Sequence, residues 1–284
     1  MNTLTMDGNN ISADAPLVIV NNGTLTINDG VTLQNNNRTD SSYGGAVDII
    51  NGRMEMSGGK ITGNYSINGA VAVQNNGVFT MTGGDITANT TNNQIGGVYI
   101  NGGTFTLVDG CISESTYGGM GFGGTGTFIM TGGTISGAAT ATGTLGRLGG
   151  ISVWTVSDWD RNSVTIKLSG EIDIDMITLS SDPLIAASNL IPICMAGTVT
   201  LPSVGSTIKI RAFSSYRIGE LPDTTNYYEY APFVGETVLQ GTDGYTLAAS
   251  DVAKFVLCDE NGDPVSDYKI ELNADGNGII AAAP

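Results

Sequence analysis

The sequence of 284 residues contains no histidine, only three cysteines and only eight prolines. Without histidine, the Ser-His-Asp and Cys-His nucleophile arrangements are excluded, and so is the side chain that most often ligates zinc. The cysteines (Cys111, Cys194 and Cys258) are odd in number and far apart, so they indicate neither a disulfide framework nor a metal motif. We interpret them as small buried or half-buried thiols, with a bridge between one pair left open.

Basic residues are also scarce. The chain has 11 Lys and Arg against 27 Asp and Glu, a formal charge of −16 at pH 7, and the basic residues form no cluster. A protein this acidic repels phosphate backbones, which argues against nucleic acid as a partner. No run of about 18 apolar residues occurs, so no membrane-spanning segment is predicted. No secretion signal precedes the first repeat, and we expect further sequence upstream of Met1.

Glycine, in contrast, is abundant at 41 of 284 residues, and much of it belongs to a repeat. The clearest copies are residues 54–61, 79–86 and 128–135. Each begins with an apolar residue, has Met at the third place and Ser or Thr at the fourth, continues with Gly-Gly, and ends with Ile at the eighth place. Successive copies, spaced by roughly two dozen residues, begin at Leu4, Leu25, Met54, Phe79, Phe105 and Phe128. A second element with alternating apolar residues precedes the later copies, at residues 16–20, 45–49, 69–73, 96–100, 118–122 and 149–153.

Alternation of apolar and polar residues within each element predicts very short β-strands. Glycine is expected at the corners, as are Asn64 and Asn89, because both residue types tolerate the left-handed backbone region. Such strands are too short to be stable alone, but coils stacked about 4.8 Å apart would form parallel sheets. The sequence therefore predicts an all-β, right-handed parallel β-helix. A β-propeller is disfavoured because its blades need about 40–50 residues.

The repeat also predicts which side chains point into the column and where its parts begin and end. Three inward ladders are expected: Val20, Ile49, Val73, Ile100, Phe122 and Val153; Leu25, Met54, Phe79, Phe105 and Phe128; Ile61, Ile86, Ile112 and Ile135. We assign residues 1–212 to the β-helix, with regular coils over about 4–136 and irregular coils over about 150–212. Residues 213–284 are predicted to form a loop-rich C-terminal β cap, which a solenoid needs because open strand edges aggregate.

This repeat resembles that of right-handed parallel β-helix proteins of the pectate-lyase-like superfold. More narrowly, it is similar to the repeats of adhesin-like bacterial cell-surface proteins. The resemblance covers about residues 4–210 and, loosely, the tail from Gly244 to Leu272. It implies an extracellular or cell-surface setting and a carbohydrate or host-surface ligand. Because one fold hosts many functions, the resemblance is informative about fold and weak about activity, and the oligomeric state is left open.

The best candidate for glycan contact is a predicted loop containing two tryptophans, two carboxylates and a guanidinium within eight residues: Trp154, Asp158, Trp159, Asp160 and Arg161. Aromatic rings stack on sugar faces, and carboxylates accept hydrogen bonds from sugar hydroxyls. In the alternative interpretation, the tryptophans shield the side of the column and an Asp caps a turn. Tyr99 is a further candidate, in an aromatic strip with Tyr43 and Tyr117 that equally fits corner packing.

Enzymes of this superfold usually cleave polysaccharides, so a lyase or glycoside hydrolase is the competing hypothesis. Hydrolysis needs paired carboxylates, and a lyase needs cation ligands beside a base. Two outward rows are expected, and each holds a single carboxylate: Ile19, Asp48, Ala72, Tyr99, Gly121 and Ser152 on the first strand, and Thr5, Thr26, Glu55, Thr80, Thr106 and Ile129 on the second. Asp173 and Asp175 are expected to face outward together, as a solvated strand face or a weak calcium site. We therefore predict a non-enzymatic module without a required cofactor.

Overall fold

The computed structural model describes residues 3–40, 43–91, 95–137, 149–154, 164–181, 190–216, 227–229, 234–259 and 261–284. Its architecture is a nearly all-β parallel solenoid of about 6 turns, which confirms the predicted fold class. None of the helical segments in this part of the chain has the length and hydrophobicity of a membrane span.

The described residues form short strands and one helical turn. The strands of the first half are β1 (Leu4–Asp7), β2 (Ser12–Ala13), β3 (Val18–Asn21), β4 (Thr24–Ile27), β5 (Val31–Gln34), β6 (Asn37–Arg38), β7 (Val47–Ile50), β8 (Arg53–Thr62), β9 (Val71–Gln74), β10 (Val78–Thr87), β11 (Val98–Asn101), β12 (Thr104–Ser115), β13 (Met120–Phe122) and β14 (Gly126–Gly137). Those of the second half are β15 (Ile151–Trp154), β16 (Val164–Ile174), β17 (Met176–Ser181), β18 (Ile193–Thr200), β19 (Ile208–Tyr216), β20 (Tyr227–Glu229), β21 (Thr237–Gly241), β22 (Phe255–Leu257), β23 (Tyr268–Leu272) and β24 (Gly278–Ala282). The helical turn α1 is Ala249–Val252.

Two long sheets form the walls of the column. The larger runs in the order β1-β5-β8-β10-β12-β14-β16-β18-β21-β24-β23, with β4 also paired to β8. The other runs β20-β19-β17-β15-β13-β11-β9-β7-β3, with β22 paired to β19. Pairing is parallel from β1 through β21 in the first sheet and from β3 through β19 in the second, because each strand meets its counterpart one coil later.

The expected inward ladders are confirmed in register, and all of their members are buried except Leu25, which is half-buried. Phe79 pairs with Phe105, and Phe105 pairs with Phe128; all three are fully buried. Their rings stack, with centroids 4.7 Å apart in the first pair and 5.3 Å apart in the second. The ladder that passes through Ile100 and Phe122 is likewise in register and buried. Burying large apolar side chains is the main stabilising contribution to such a column.

A left-handed glycine bends each of the strands β8, β10, β12 and β14 around one corner of the column. The φ angles of the stacked residues Gly59, Gly84, Gly110 and Gly133 are +75°, +90°, +110° and +84°. A Cβ added at Gly84 would lie 2.6 Å from the carbonyl oxygen of Gly58 in the coil before. Both the backbone angle and the close contact therefore require glycine here.

The prediction for the asparagine corners is wrong by one residue. The left-handed positions are Gly63 and Ala88, with φ of +65° and +54°, and each asparagine comes one residue later. Asn64 and Asn89 are instead buried in a ladder, in which the Asn64 backbone N–H donates to the Asn89 Oδ1 at 3.0 Å. The asparagine amide is needed inside the column to satisfy buried backbone groups, so its neighbour takes the turn conformation.

The sequence also misplaces the weakest repeat copy. Leu4–Asp7 pairs with Val31–Gln34, so Leu4 lies beside Val31 rather than in the row of Leu25. Met6 likewise belongs with Leu33 and Ile61 rather than with Ile27. Thr5 accordingly lies beside Thr32 and not in the row of Thr26. This copy lacks a Gly-Gly pair, and without that marker the two kinds of short apolar strand look alike in sequence.

The C-terminal end of the column is closed. Antiparallel strands β24 and β23 follow β21, and α1 lies nearby with Leu247, Val252 and Phe255 buried in the main core. Parallel pairing extends to β21 and β22, beyond residue 212. After these last parallel pairs, the antiparallel strands β24 and β23 cover the core in place of another coil.

Candidate functional site

The predicted tryptophan loop is described at one residue. Trp154 ends β15, and its backbone pairs in parallel with Ser180 of β17. Asp158, Trp159, Asp160 and Arg161 lie outside the described residues. The glycan-contact hypothesis for this loop therefore stays a prediction.

Tyr99, the remaining glycan candidate, is packed in a small apolar cluster on the outside of the second sheet. Its ring stacks on Tyr43 with centroids 5.3 Å apart, and only 4% of the residue is exposed. Ile95 and Tyr117 complete the cluster. Burial raises the pKa of Tyr99, and the neighbouring Tyr43 phenol adds to the shift. A glycan would reach this ring only after the residues that cover it had moved.

The outward row containing Tyr99 has the predicted register, but most of its members are buried. Asp48, Ala72 and Ser152 are at most 5% exposed. Corner residues pack over them: the Arg38 Nη1 lies 3.7 Å from the Asp48 Oδ2, and Gly121 lies directly against the Ile95 side chain. Strand alternation predicts which way a side chain points, whereas a covering loop is a tertiary feature that alternation does not contain.

Arg38 is the centre of a buried polar cluster beneath this cover. Its Nε donates to the Asp40 Oδ1 at 2.7 Å, and its Nη1 donates to the carbonyl oxygens of Tyr43 and Gly44. The Gln74 amide donates to the Asp48 carboxylate. Burial raises the pKa of Asp48, although hydrogen bonding from Gln74 and the charge of Arg38 oppose the shift. These groups fasten the corner to the sheet, which is a structural role.

The predicted pairing of Asp173 with Asp175 on one strand face is wrong. Asp173 is an exposed residue of β16, whereas Asp175 follows the end of that strand. The Asp175 carboxylate accepts hydrogen bonds from the backbone N–H groups of Gly137, Gly150 and Met176 at 3.0, 2.6 and 2.6 Å. It therefore fixes the turn between β16 and β17. Among the described residues no cluster of three or more Cys, Asp or Glu is arranged to hold a metal ion.

Glu171, and not Asp175, shares a face of β16 with Asp173. Both residues line a groove of about 430 Å³. The remaining lining residues are Gly133, Thr134, Ile172, Thr200, Leu201 and Pro202. The groove crosses the outer surface of the first sheet, where Gly132 lies opposite Glu171 and Thr134 lies opposite Asp173. Gly133 and Thr134 of β14 line one side of the groove, and the turn after β18 forms the far wall.

The groove combines two exposed carboxylates with two threonine hydroxyls and an apolar wall of Leu201 and Pro202. Concave surfaces with a few convergent polar groups are the usual form of small-ligand sites. Carboxylates and hydroxyls can accept hydrogen bonds from sugar hydroxyls, and the apolar wall can cover the C–H face of a ring. The sequence reasoning missed Glu171, although the alternation Glu171-Ile172-Asp173-Ile174 was the signal that could have found it.

Fold and groove together define the class of protein: a parallel β-solenoid whose side wall carries a shallow polar groove. Comparisons with protein-family models, with curated proteins and with solved structures find no match. The likeness to pectate-lyase-like and adhesin-like proteins consequently rests on the repeat residues themselves.

Proposed function

We propose that the chain is a non-enzymatic surface repeat module whose column presents the groove at Glu171 and Asp173 to a glycan. The supporting observation is the groove itself, in which polar and apolar walls face each other on a continuous sheet. The core ladders hold the groove-lining strands in fixed register, so little conformational entropy is lost when a ligand binds. The extracellular or cell-surface location belongs to this proposal and is supported by the resemblance of the repeat.

The charge of the site favours a particular kind of glycan. The groove has two acidic side chains, Glu171 and Asp173, and no basic residue lines it among the described residues. The whole chain has a formal charge of −16 at pH 7. Like charges across a binding interface oppose association. Neutral or amine-bearing sugars should therefore bind in preference to uronates.

The test is a glycan array probed with the purified chain, followed by titration of any hit. Four variants separate the two candidate surfaces: Trp154→Ala and Trp159→Ala in the predicted loop, Glu171→Gln and Asp173→Asn in the groove. Asp14→Asn, which removes an exposed carboxylate from the opposite end of the column, is the matched control. Weakened binding in the groove variants alone supports the groove. Weakened binding in the tryptophan variants alone moves the site to the loop, and no binding to any glycan overturns the proposal.

Polysaccharide cleavage is the competing function. The observation that favours it is that the carboxylates of Glu171 and Asp173 lie in the same groove. Two carboxylates on one strand face within a groove are the minimum that acid–base hydrolysis requires. Incubation with acidic and neutral glycans, with and without calcium, discriminates the two classes. Reproducible cleavage that is abolished by changing Glu171, Asp173, Asp158 or Asp160 would replace the binding proposal with an enzymatic one.

A further inference from the structure

The carboxylates of the groove differ in their surroundings from several other surface carboxylates of the first sheet. Those others lie beside a basic side chain: Glu55 beside Arg53 at 2.7 Å, Asp85 beside Lys60 at 3.8 Å, and Glu271 beside Lys269 at 2.9 Å. Among the described residues, neither the Glu171 nor the Asp173 side chain has an ion pair or a hydrogen bond. Lys167, on the same strand, is paired with Asp243 at 2.8 Å instead.

The register of the sheet places a threonine beside each of these carboxylates. Glu171 and Asp173 are exposed on either side of the buried Ile172, so they project from one face, roughly 6–7 Å apart along the strand. Thr200 pairs with Glu171 from the following coil, and Thr134 pairs with Asp173 from the preceding coil. Carboxylate and hydroxyl oxygens from three coils therefore line the same concave surface.

An ammonium group matches this set of oxygens. It has three N–H donors and no acceptor, so it can donate to two carboxylates and to a threonine hydroxyl at once. Hydrogen bonds between a charged donor and a carboxylate are roughly twice as strong as those between neutral groups. A positive charge between two carboxylates also offsets their mutual repulsion. An N-acetylated nitrogen has no charge and a single N–H, so it lacks both advantages.

The apolar wall of the groove indicates an organic cation rather than a metal ion. Leu201 and Pro202 line the side that faces the carboxylates, and they offer no ligand to a metal. In the part of the chain that the structure describes, no group of three or more Cys, Asp or Glu could hold a metal ion. A sugar ring with a free amino group has both the C–H face that covers an apolar wall and the ammonium that the carboxylates bind.

We propose that the groove selects glycans with free amino groups, such as glucosamine oligomers, over their N-acetylated counterparts. This inference rests on the proposed function, because it names the ligand class of the same groove. The ammonium lies between Glu171 and Asp173 and donates its remaining N–H to a threonine hydroxyl. The C–H face of the ring covers Leu201 and Pro202.

The overall charge of the chain must be separated from the charge of the groove. A formal charge of −16 attracts any cation, and a long polycation most of all. Salt screens charges that lie further apart than a Debye length, which is about 10 Å at 0.1 M. Binding of a short oligomer at moderate salt therefore reports mainly on the groove. The preference for the free amine should decrease as salt is added and should not disappear at 0.1 M.

Calorimetric titration of the full chain with two matched disaccharides tests the proposal. The disaccharides of glucosamine and of N-acetylglucosamine share ring and linkage and differ only at the nitrogen. The free-amine form should bind on the order of tenfold more tightly or better, and Glu171→Gln or Asp173→Asn should each reduce that preference on the order of tenfold. Thr134→Val should reduce it less. Asp14→Asn, which removes an exposed carboxylate outside the groove, is the control and should leave both affinities unchanged.

Circular dichroism and thermal unfolding establish that each variant folds. Equal affinity for the two disaccharides, with both lost in the groove variants, would overturn this inference and leave glycan binding by the groove standing. A free-amine preference that persists in Glu171→Gln and in Asp173→Asn would also overturn it, because the attraction would then come from the overall charge. Absence of binding to every glycan would overturn both this inference and the proposed function.

Discussion

Phe79 and Phe105, one coil apart, stack with their ring centroids 4.7 Å apart and their planes inclined by 14°. Phe128 extends the stack by one coil. Contacts of this kind, repeated from coil to coil, hold strands together that would be unstable alone. The fold therefore depends on continuity of the ladders rather than on any single element.

Phe105→Ala should be among the most destabilising substitutions in the chain. Phe105 is fully buried between two other phenylalanines, so the change leaves a cavity and removes two ring contacts. We expect a loss of about 3–5 kcal/mol in the free energy of unfolding, measured by chemical denaturation. Thr106→Ala changes the half-buried next residue and should cost far less. Equal losses in the two variants would contradict the ladder.

Gly84→Ala and Gly205→Ala separate two reasons for requiring glycine. Both residues have positive φ, +90° and +88°, but only Gly84 has backbone atoms within 4 Å of an added Cβ. The backbone angle alone should cost about 1–2 kcal/mol at Gly205. Gly84→Ala should cost clearly more because the clash with Gly58 is added. Thermal unfolding of both variants checks the order, and a smaller loss at Gly84 would refute the close packing of the bend.

Asn64→Ala should break the asparagine ladder. The Asn64 Nδ2 donates to the carbonyl oxygens of Leu33 and Thr62, both at 3.1 Å, and its Oδ1 accepts from the backbone N–H of Asn36 at 3.1 Å. Losing these contacts leaves buried backbone groups unsatisfied, at about 1–3 kcal/mol for each group. Asn76→Ala, at an exposed asparagine, is the control for denaturation experiments and should be nearly neutral.

Asp48→Asn should change how stability depends on pH. Burial raises the pKa of Asp48 above its ordinary value of 3.8, so the folded chain binds this proton more tightly than the unfolded chain. The contribution is therefore fully present below pH 3.8 and is lost as pH rises through the folded pKa. Stability of the wild type relative to Asp48→Asn should fall across that window and then level off. Urea denaturation at a series of pH values measures the difference, and a difference that rises with pH would contradict the buried position.

The same reasoning has the opposite sign at the capped end. Burial acts to raise the pKa of Asp251, but hydrogen bonds from the Ala248 N–H, the Tyr245 hydroxyl and the Lys254 ammonium outweigh it and lower that pKa. Its contribution is present above the ordinary pKa and is lost as pH falls through the folded value. Wild type and Asp48→Asn both contain Asp251, so the pH-dependent contribution of Asp251 cancels in the difference between their stabilities.

The candidate sites were less predictable than the column. The alternation of the strands correctly predicted the register of Asp48, Ala72 and Tyr99, but it did not predict that loops bury them. It joined Asp173 to Asp175, because it had no sign that the strand ends at Ile174. The groove depends on contacts between residues of β14, β16 and the turn after β18, which lie in three different coils. Such proximity is a property of the folded chain.

The sequence by itself determined the solenoid, because a strand has a side-chain period of two and the Gly-Gly bend recurs at each turn. It also determined the ladders of Phe79, Phe105 and Phe128, since residues at equal places in successive coils must stack. Only the tertiary structure decided which outward residues meet solvent, how the weakest first copy pairs, and where the groove lies. Those features arise from contacts between segments without a shared period, and local alternation carries no information about them.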